Sequence, residues 1–340
     1  MSNVLFENVT LHCVDLGARA GIPDHWQPFA AMLTIDAFEP DETALDKGYR
    51  QMDRVAWFPF GLAGQSGKLP FYITGVASGS SLYPPNEPVI GLYTSPRYYR
   101  IAETRQLPFL TFSDFLREYQ RPKPEMIKLD TQGSELDILR SLEPADWSAL
   151  IAVETEVEFA ELYAGQPLFR DVDVFMAKRG FDLVDLRTHR SYLQSQDRAH
   201  HYLRAYLDFA GPRSDLSARL LAGDALYMRR YPDGLPPDAM STRKLVVVYC
   251  IYRFFDHAFA LVERAVAAGQ FSAAEGNALI SHIRRAGPRP RLLERASGIA
   301  RRVHAGVLHV LSKGLRMIGR RLPRRGRSHA GWMTRAWPDQ

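Results

Sequence analysis

The chain has 340 residues, of which 46% are hydrophobic and 24% are charged, and this composition excludes an intrinsically disordered protein. Two cysteines are too few for a disulfide framework or a cysteine-based metal site. The net charge of +5 is unevenly distributed, because residues 241–340 hold 19 Lys or Arg against 5 Asp or Glu, whereas residues 1–240 are acidic.

The beginning of the sequence shows no secretory signal pattern. The longest apolar run, residues 245–252, is far shorter than the roughly 20 residues that span a membrane. Because two isolated cysteines also suit a reducing compartment, we expect a cytoplasmic protein.

Strands alternate with helices along the first 230 residues. Strands are predicted at 11–16, 34–41, 54–63, 69–74, 124–130, 149–159, 181–186 and 224–230, and helices at 25–33, 42–53, 111–119, 134–142 and 168–181. Residues 69–74 are expected to form an antiparallel excursion joined by a tight turn, and residues 75–110 a loop. The last two strands are expected to pair antiparallel at the edge of the sheet. The alternation predicts an α/β fold with a doubly wound parallel sheet.

The turn after the first strand has the features of a ligand-binding loop. Asp15 ends the strand, and Gly17 and Gly21 allow close approach of the backbone to a ligand. Glu39 follows Asp15 at the separation at which an acid on the second strand binds ribose hydroxyls. The loop matches neither GxGxxG nor a phosphate-binding loop, so a ligand with ribose but no pyrophosphate, such as S-adenosylmethionine, fits best. The alternative is a structural turn in which Asp15 caps backbone N–H groups.

Six motifs carry a resemblance to a known family. In chain order they are VDLGARAG (14–21), IDAFEPD (35–41), SSLYPPN (80–86), LTFSDFL (110–116), IKLDTQGSELDIL (127–139) and GDALYMR (223–229). Over about residues 11–230 the chain resembles the FkbM family of S-adenosylmethionine-dependent methyltransferases. The resemblance implies a seven-stranded Rossmann-like methyltransferase sheet with its last pair of strands antiparallel. It also implies O-methylation of a saccharide, glycan or secondary metabolite.

The resemblance also assigns residues to the methyl donor. The cofactor-binding residues that it implies are Asp15, Gly17, Ala18, Arg19, Gly21 and Glu39. Arg19 departs from the asparagine that is frequent at its place in the family, and it either reaches the carboxylate of S-adenosylmethionine or points to solvent.

Two carboxylates are the predicted catalytic residues. Asp130 ends its strand beside the expected methyl donor, where it could orient or deprotonate an acceptor hydroxyl, and Glu154 lies near the end of the next strand. Lys128 faces the same side as Asp130, either in an ion pair or extending past the strand end. Gln132 and Gly133 are expected to shape the pocket wall.

Other residues leave alternatives open. Glu135, Glu154 and Glu156 could join Asp130 as oxygen ligands of Mg²⁺, but no spacing signature supports this and the metal is left unassigned. Three histidines are candidate general bases by residue type or else surface residues: His189, His200 and His201. The loop 80–86 is either a lid or an ordinary loop.

We divide the chain into a methyltransferase domain, residues 1–240, and a basic helical C-terminal extension, residues 241–340, with part of the chain after residue 323 disordered. Residues 241–283 are predicted to be helical with a break at Gly269, and residues 292–327 to form a basic amphipathic helix. Three roles are open for that helix: it docks on its own domain, lies on the inner membrane face near a lipid-linked glycan acceptor, or contacts nucleic acid. Nucleic acid is the least favoured partner, because few aromatic residues lie among the basic ones. The alternative to an enzyme is a cofactor-binding module without turnover that this helix recruits to RNA or a membrane. The sequence does not determine the oligomeric state.

Overall fold

A computed structural model of the chain describes residues 9–41, 53–92, 99–191 and 219–287. The main sheet has seven strands in the order β3-β2-β1-β7-β8-β10-β9. These strands are β1 (Leu11–Leu16), β2 (Leu33–Phe38), β3 (Val55–Phe58), β7 (Met126–Leu129), β8 (Ala152–Glu158), β9 (Phe181–Ser191) and β10 (Arg219–Arg229). All neighbours pair parallel except β10, which runs antiparallel to β8 and β9. This topology confirms the predicted fold.

A second sheet of three strands, in the order β4-β6-β5, was not anticipated. Its strands are β4 (Gly61–Leu62), β5 (Gly67–Thr74) and β6 (Ile101–Leu110). The predicted loop over 75–110 was wrong because most of β6 is exposed and shows no alternating apolar pattern. Pairing with β5, and not burial in a core, defines this strand. The predicted strand 54–63 is divided between β3 of the main sheet and β4 of this one.

Seven α-helices are described. They are α1 (Glu87–Ile90), α2 (Phe112–Glu118), α3 (Glu135–Arg140), α4 (Phe169–Lys178), α5 (Ala239–Ile251), α6 (Phe255–Ala267) and α7 (Ala273–Ala286). The helix predicted at 25–33 is a 3₁₀ helix, Gln27–Met32, with Pro28 in its first turn. Most of the helix predicted at 42–53 lies outside the described residues. None of the helices in the described ranges has the length and apolar character needed to cross a membrane.

Each face of the main sheet packs against its own helices. Val14, Ile127 and Val153 face a core that includes side chains from α2, α3 and α4. Cys13 and Met126 face the other side, where α5, α6 and α7 supply apolar residues such as Val246 and Leu261. The helices after residue 240 therefore cover one face of the sheet and belong to the same compact unit, Met1–Gly287.

The C-terminal helices follow the predicted pattern with one further break. Gly269, at φ 75°, separates α6 from α7 as expected. Arg253, at φ 64°, interrupts the apolar run that the sequence joins into one helix, and α5 ends at Ile251. Residues 292–327 lie outside the described residues.

A buried ion pair fixes the segment between α2 and β7 to the sheet. Asp36 on β2 has no exposed surface, and its carboxylate accepts hydrogen bonds from Arg121 Nε at 2.9 Å and Nη2 at 2.5 Å. His12 Nε2 lies 3.0 Å from the same carboxylate. A buried charge is costly unless it is paired, so Arg121 compensates Asp36 in the interior.

We expect Arg121→Met to lower the free energy of unfolding by about 3 kcal/mol, because it leaves the Asp36 carboxylate without its main partner. Arg117→Met is the matched control, since the Arg117 side chain is 64% exposed and its ion pairs lie at the surface. Its effect should stay below about 1 kcal/mol in chemical denaturation. Equal loss of stability in the two variants would contradict this assignment.

Candidate functional site

A pocket of about 790 Å³, including its opening to solvent, lies at the carboxyl ends of β1, β2 and β7. Its wall includes Gly17, Arg19, Glu39, Asp130, Thr131 and Gln132, with Phe71 and Phe109 contributed by the second sheet. Four of the predicted site residues, Gly17, Arg19, Glu39 and Asp130, therefore line one pocket. Asp15 and Ala18 are both 1% exposed and do not line it.

Gly17 is the point at which the turn after β1 meets the end of β7. Its φ of 84° is in the left-handed region, and its N–H donates to Phe38 O at 3.2 Å. A Cβ atom at this position would lie 2.2 Å from Asp130 O, which is closer than van der Waals contact allows. Only glycine therefore permits this approach of the two strand ends. Gly21 has a similar φ of 86°, but a Cβ atom added to it would have no other atom within 4 Å.

Glu39 is a buried acid that faces the pocket. It is 5% exposed, and its Oε1 accepts the backbone N–H of Asp41 at 3.0 Å. Burial raises the pKa of Glu39, an effect that this hydrogen bond and Arg19 oppose. Arg19 Nε lies 3.4 Å from Glu39 Oε2, and Arg19 Nη2 lies 3.5 Å from Asp41 Oδ2. The Arg19 side chain is thus held by the acids that follow β2.

A row of charged side chains crosses the sheet beside the pocket. In register, Asp15 on β1 pairs with Lys128 on β7, and Lys128 pairs with Glu154 on β8. Lys128 Nζ lies 3.6 Å from Asp15 Oδ1 and 3.8 Å from Asp130 Oδ2. Burial would lower the pKa of Lys128, but the surrounding carboxylates raise it to about 12. Of the two alternatives for Lys128, the structure shows the ion pair.

Gln132 holds the Asp130 carboxylate from the other side. Its Nε2 donates to Asp130 Oδ1 at 2.9 Å and to Glu156 Oε2 at 2.5 Å, and its Oε1 accepts from Tyr163 OH at 2.8 Å. Its φ of 60° is unusual for a residue with a side chain. Ser81, in the loop 80–86, donates to Gln132 O at 2.7 Å, which ties this loop to the pocket wall.

The remaining acids near the pocket have local partners. Glu135 accepts the N–H of Thr131 at 2.6 Å and of Gly133 at 2.9 Å, and burial raises its pKa to about 7. Burial also raises the pKa of Glu156 and Glu158. Within the described part of the chain, no three His, Cys, Asp or Glu side chains are grouped so that they could hold a metal ion.

Glu154 is not part of the pocket wall and instead binds a histidine that the sequence analysis missed. Its Oε2 lies 2.9 Å from His25 Nε2 and accepts the hydroxyl of Tyr252 at 3.1 Å. Burial would raise the pKa of Glu154, but His25 and Lys128 bring it below its ordinary value. The one signal in the sequence was the position of His25 four residues after Gly21.

The predicted histidine bases lie elsewhere or outside the described residues. His189 is 59% exposed on the edge strand β9, where its Nε2 lies 3.1 Å from Asp224 Oδ2. His200 and His201 are outside the described residues.

We expect Gly17→Ala to destabilise the fold by roughly 3 kcal/mol, because a left-handed alanine costs about 1–2 kcal/mol and the collision with Asp130 O adds about 1–3 kcal/mol. Gly269→Ala is the control, because Gly269, at the end of a helix, also has a positive φ of 75° and has open space around the added methyl group. In thermal or chemical unfolding, the control should lose only the roughly 1–2 kcal/mol that a left-handed alanine costs. Equal losses would show that Gly17 is needed for its φ alone.

Residues 15–183 match the family described as the methyltransferase FkbM domain. Among solved structures, the chain is similar to the methyltransferase FkbM from Methylobacillus flagellatus KT, with 13% identity and a TM-score of 0.34. That match covers 64% of this chain and 43% of that chain, so the chain spans less than half the length of this relative. No curated protein is similar enough to count as a match.

Two further structures are similar at the same low level. One is a proposed RNA methyltransferase from Pyrococcus horikoshii, with 10% identity, a TM-score of 0.28 and coverage of 67% of this chain and 79% of that one. The other is a proposed tRNA (m1A22) methyltransferase from Streptococcus pneumoniae, with 11% identity, a TM-score of 0.30 and coverage of 84% and 99%. The family match and the strand order together confirm the resemblance stated from the motifs, and the chain carries a methyltransferase domain of the FkbM family.

Proposed function

We propose that this methyltransferase transfers a methyl group from S-adenosylmethionine to a hydroxyl oxygen of a saccharide, glycan or secondary metabolite. The observation that carries the proposal is that Gly17, Glu39 and Asp130 line one pocket at the carboxyl ends of three neighbouring strands. Ligands of open α/β sheets bind at this edge.

The residues present fit the methyl donor. Glu39 is a buried carboxylate on the pocket wall, suited to accept hydrogen bonds from ribose hydroxyls. Because Gly17 has no side chain, the ends of β1 and β7 can lie close together at the pocket. When bound, S-adenosylmethionine supplies an activated methyl group, so the protein has to align the acceptor and remove a proton.

Asp130 is the pocket residue best placed to meet the acceptor. Its side chain is 46% exposed, while Gln132 and Lys128 hold its carboxylate in a fixed orientation. A carboxylate fixed in this way can accept a hydrogen bond from a hydroxyl and orient the oxygen toward the donor. The acidic side chains Asp15, Asp130 and Glu154 around Lys128 also favour a cationic donor over an anionic one.

We expect Glu39→Gln to weaken S-adenosylmethionine binding about 10-fold to 100-fold, because a hydrogen bond to a charged group contributes roughly 1.5–3 kcal/mol. The amide can still accept the N–H of Asp41, so the loop should remain folded. Titration calorimetry measures the affinity for S-adenosylmethionine. Glu143→Gln is the control, because it makes the same substitution at a surface position that is 65% exposed. Unchanged affinity of the Glu39 variant would contradict the donor site.

We expect Asp130→Asn to leave donor affinity within about tenfold of the wild type and to lower turnover by roughly 100-fold, because the acceptor hydroxyl loses the charged group that orients it toward the methyl donor. The measurement is transfer of a labelled methyl group from S-adenosylmethionine to glycan, lipid and RNA fractions of cells. Labelled glycan supports the proposed acceptor, and a fully active Asn variant excludes a catalytic role for Asp130.

The same assay separates the second candidate function, a module without turnover that the basic C-terminal residues recruit to RNA or a membrane. The charge excess of residues 241–340 favours that candidate. Donor binding with no labelled product in any fraction would support the module without turnover. Labelled RNA would show that the acceptor is RNA and not a saccharide, glycan or secondary metabolite.

A further inference from the structure

His25 and Glu154 form a hydrogen-bonded pair at the edge of the sheet where the pocket lies. His25 belongs to the turn that follows the donor loop, and its Nε2 lies 2.9 Å from Glu154 Oε2 on β8. The His25 side chain is 17% exposed and the Glu154 side chain 11% exposed. The His25 side chain is therefore slightly more accessible than the Glu154 side chain.

The carboxylate is held on several sides. Tyr252, directly after α5, donates its hydroxyl to Glu154 Oε2 at 3.1 Å, and its ring lies 5.1 Å from the His25 ring. The Trp26 ring lies 6.2 Å from His25 in an edge arrangement. Lys128, the register partner of Glu154 on β7, provides the neighbouring positive charge. Among the described residues, a carboxylate, a phenol and an indole therefore lie against the imidazole.

This arrangement is continuous with the proposed acceptor site. Lys128 is the register partner of Glu154 on the neighbouring strand, and its Nζ lies 3.8 Å from Oδ2 of Asp130, the residue directly after β7. Neighbouring strands lie about 4.8 Å apart and two residues of a strand span about 7 Å, so the Cα atoms of Glu154 and Asp130 lie within about 9 Å of each other.

We infer that His25 accepts the proton of the acceptor hydroxyl and that Glu154 is the positioning residue that orients its ring. The inference rests on the proposed function. A carboxylate at Nε2 favours the tautomer with the proton on Nε2, which leaves the Nδ1 lone pair to accept a proton. Histidine is a residue type suited to accepting a proton near neutral pH. The Asp130 carboxylate already binds Gln132 and lies beside Lys128, so it keeps the role of orienting the hydroxyl.

The step balances without a further reactant. The acceptor oxygen forms a bond to the methyl carbon as the carbon–sulfur bond breaks, and the electron pair of that bond stays on sulfur. The hydroxyl proton passes to Nδ1 of His25, and Glu154 stabilises the imidazolium. Release of this proton to water restores the neutral ring.

Three full-length variants test the inference: His25→Asn, His25→Ala and Glu154→Gln. Methyl transfer from labelled S-adenosylmethionine to the cell glycan fraction should fall by roughly 100-fold or more in His25→Asn, while calorimetric affinity for the donor stays within about threefold. Added imidazole should restore part of the activity of His25→Ala, a rescue that a structural role would not produce. Glu154→Gln should lower kcat more than it raises KM.

The matched control is His257→Asn. The His257 Nδ1 also lies 3.0 Å from a carboxylate, Asp256, but the ring is 54% exposed on α6. Its activity should equal that of the wild type. Turnover of His25→Asn within about threefold of the wild type, or absence of imidazole rescue in a folded His25→Ala protein, overturns the inference.

A readout independent of turnover is nitrogen-15 NMR of histidine-labelled protein, with the His25 signal assigned by its loss in His25→Asn. The wild type should show the proton on Nε2, and Glu154→Gln should shift the tautomer population. A proton fixed on Nδ1 overturns the inference even if the variants unfold. Failure of the proposed function has a different signature, because the wild type would then bind no donor or label no glycan while the tautomer remained as expected.

Discussion

The compensation of charge around Lys128 is the interaction on which this edge of the sheet depends. Parallel pairing places Asp15, Lys128 and Glu154 side by side on β1, β7 and β8, where their shared face is covered by helices. Carboxylates brought together in the interior repel one another and lose solvation. One half-buried ammonium group between Asp15 and Asp130 offsets part of both costs, so several acids can lie close together at these strand ends.

The same constraint connects the C-terminal helices with the chemistry of the domain. Tyr252, directly after α5, binds Glu154, and the apolar residues of α5, α6 and α7 close the sheet face below the charged row. These helices therefore determine the desolvation of Glu154 as well as the stability of the sheet. A domain ending at residue 240 would expose that face and remove one of the two hydrogen bonds to the Glu154 carboxylate.

The second sheet contributes part of the pocket wall. Phe71 of β5 and Phe109 of β6 are apolar residues that line the same pocket as Gly17 and Asp130. Such a pocket combines apolar surface with a few polar groups, the usual composition of small-molecule sites. The sequence placed Phe71 in a strand but left Phe109 in a loop, since the exposed part of β6 follows no periodic pattern.

Local pattern determined the strands and helices of the main sheet, the glycine turn after β1, and the positions of Asp15, Glu39 and Asp130, because strand periodicity and positive φ are properties of neighbouring residues. Only the tertiary structure decided which of these side chains meet. Gly17 is required by a carbonyl group 113 residues away, and Glu154 binds His25 across 129 residues. Sequence spacing contains no information about such contacts, since they arise from strand order, register and the packing of helices on the sheet.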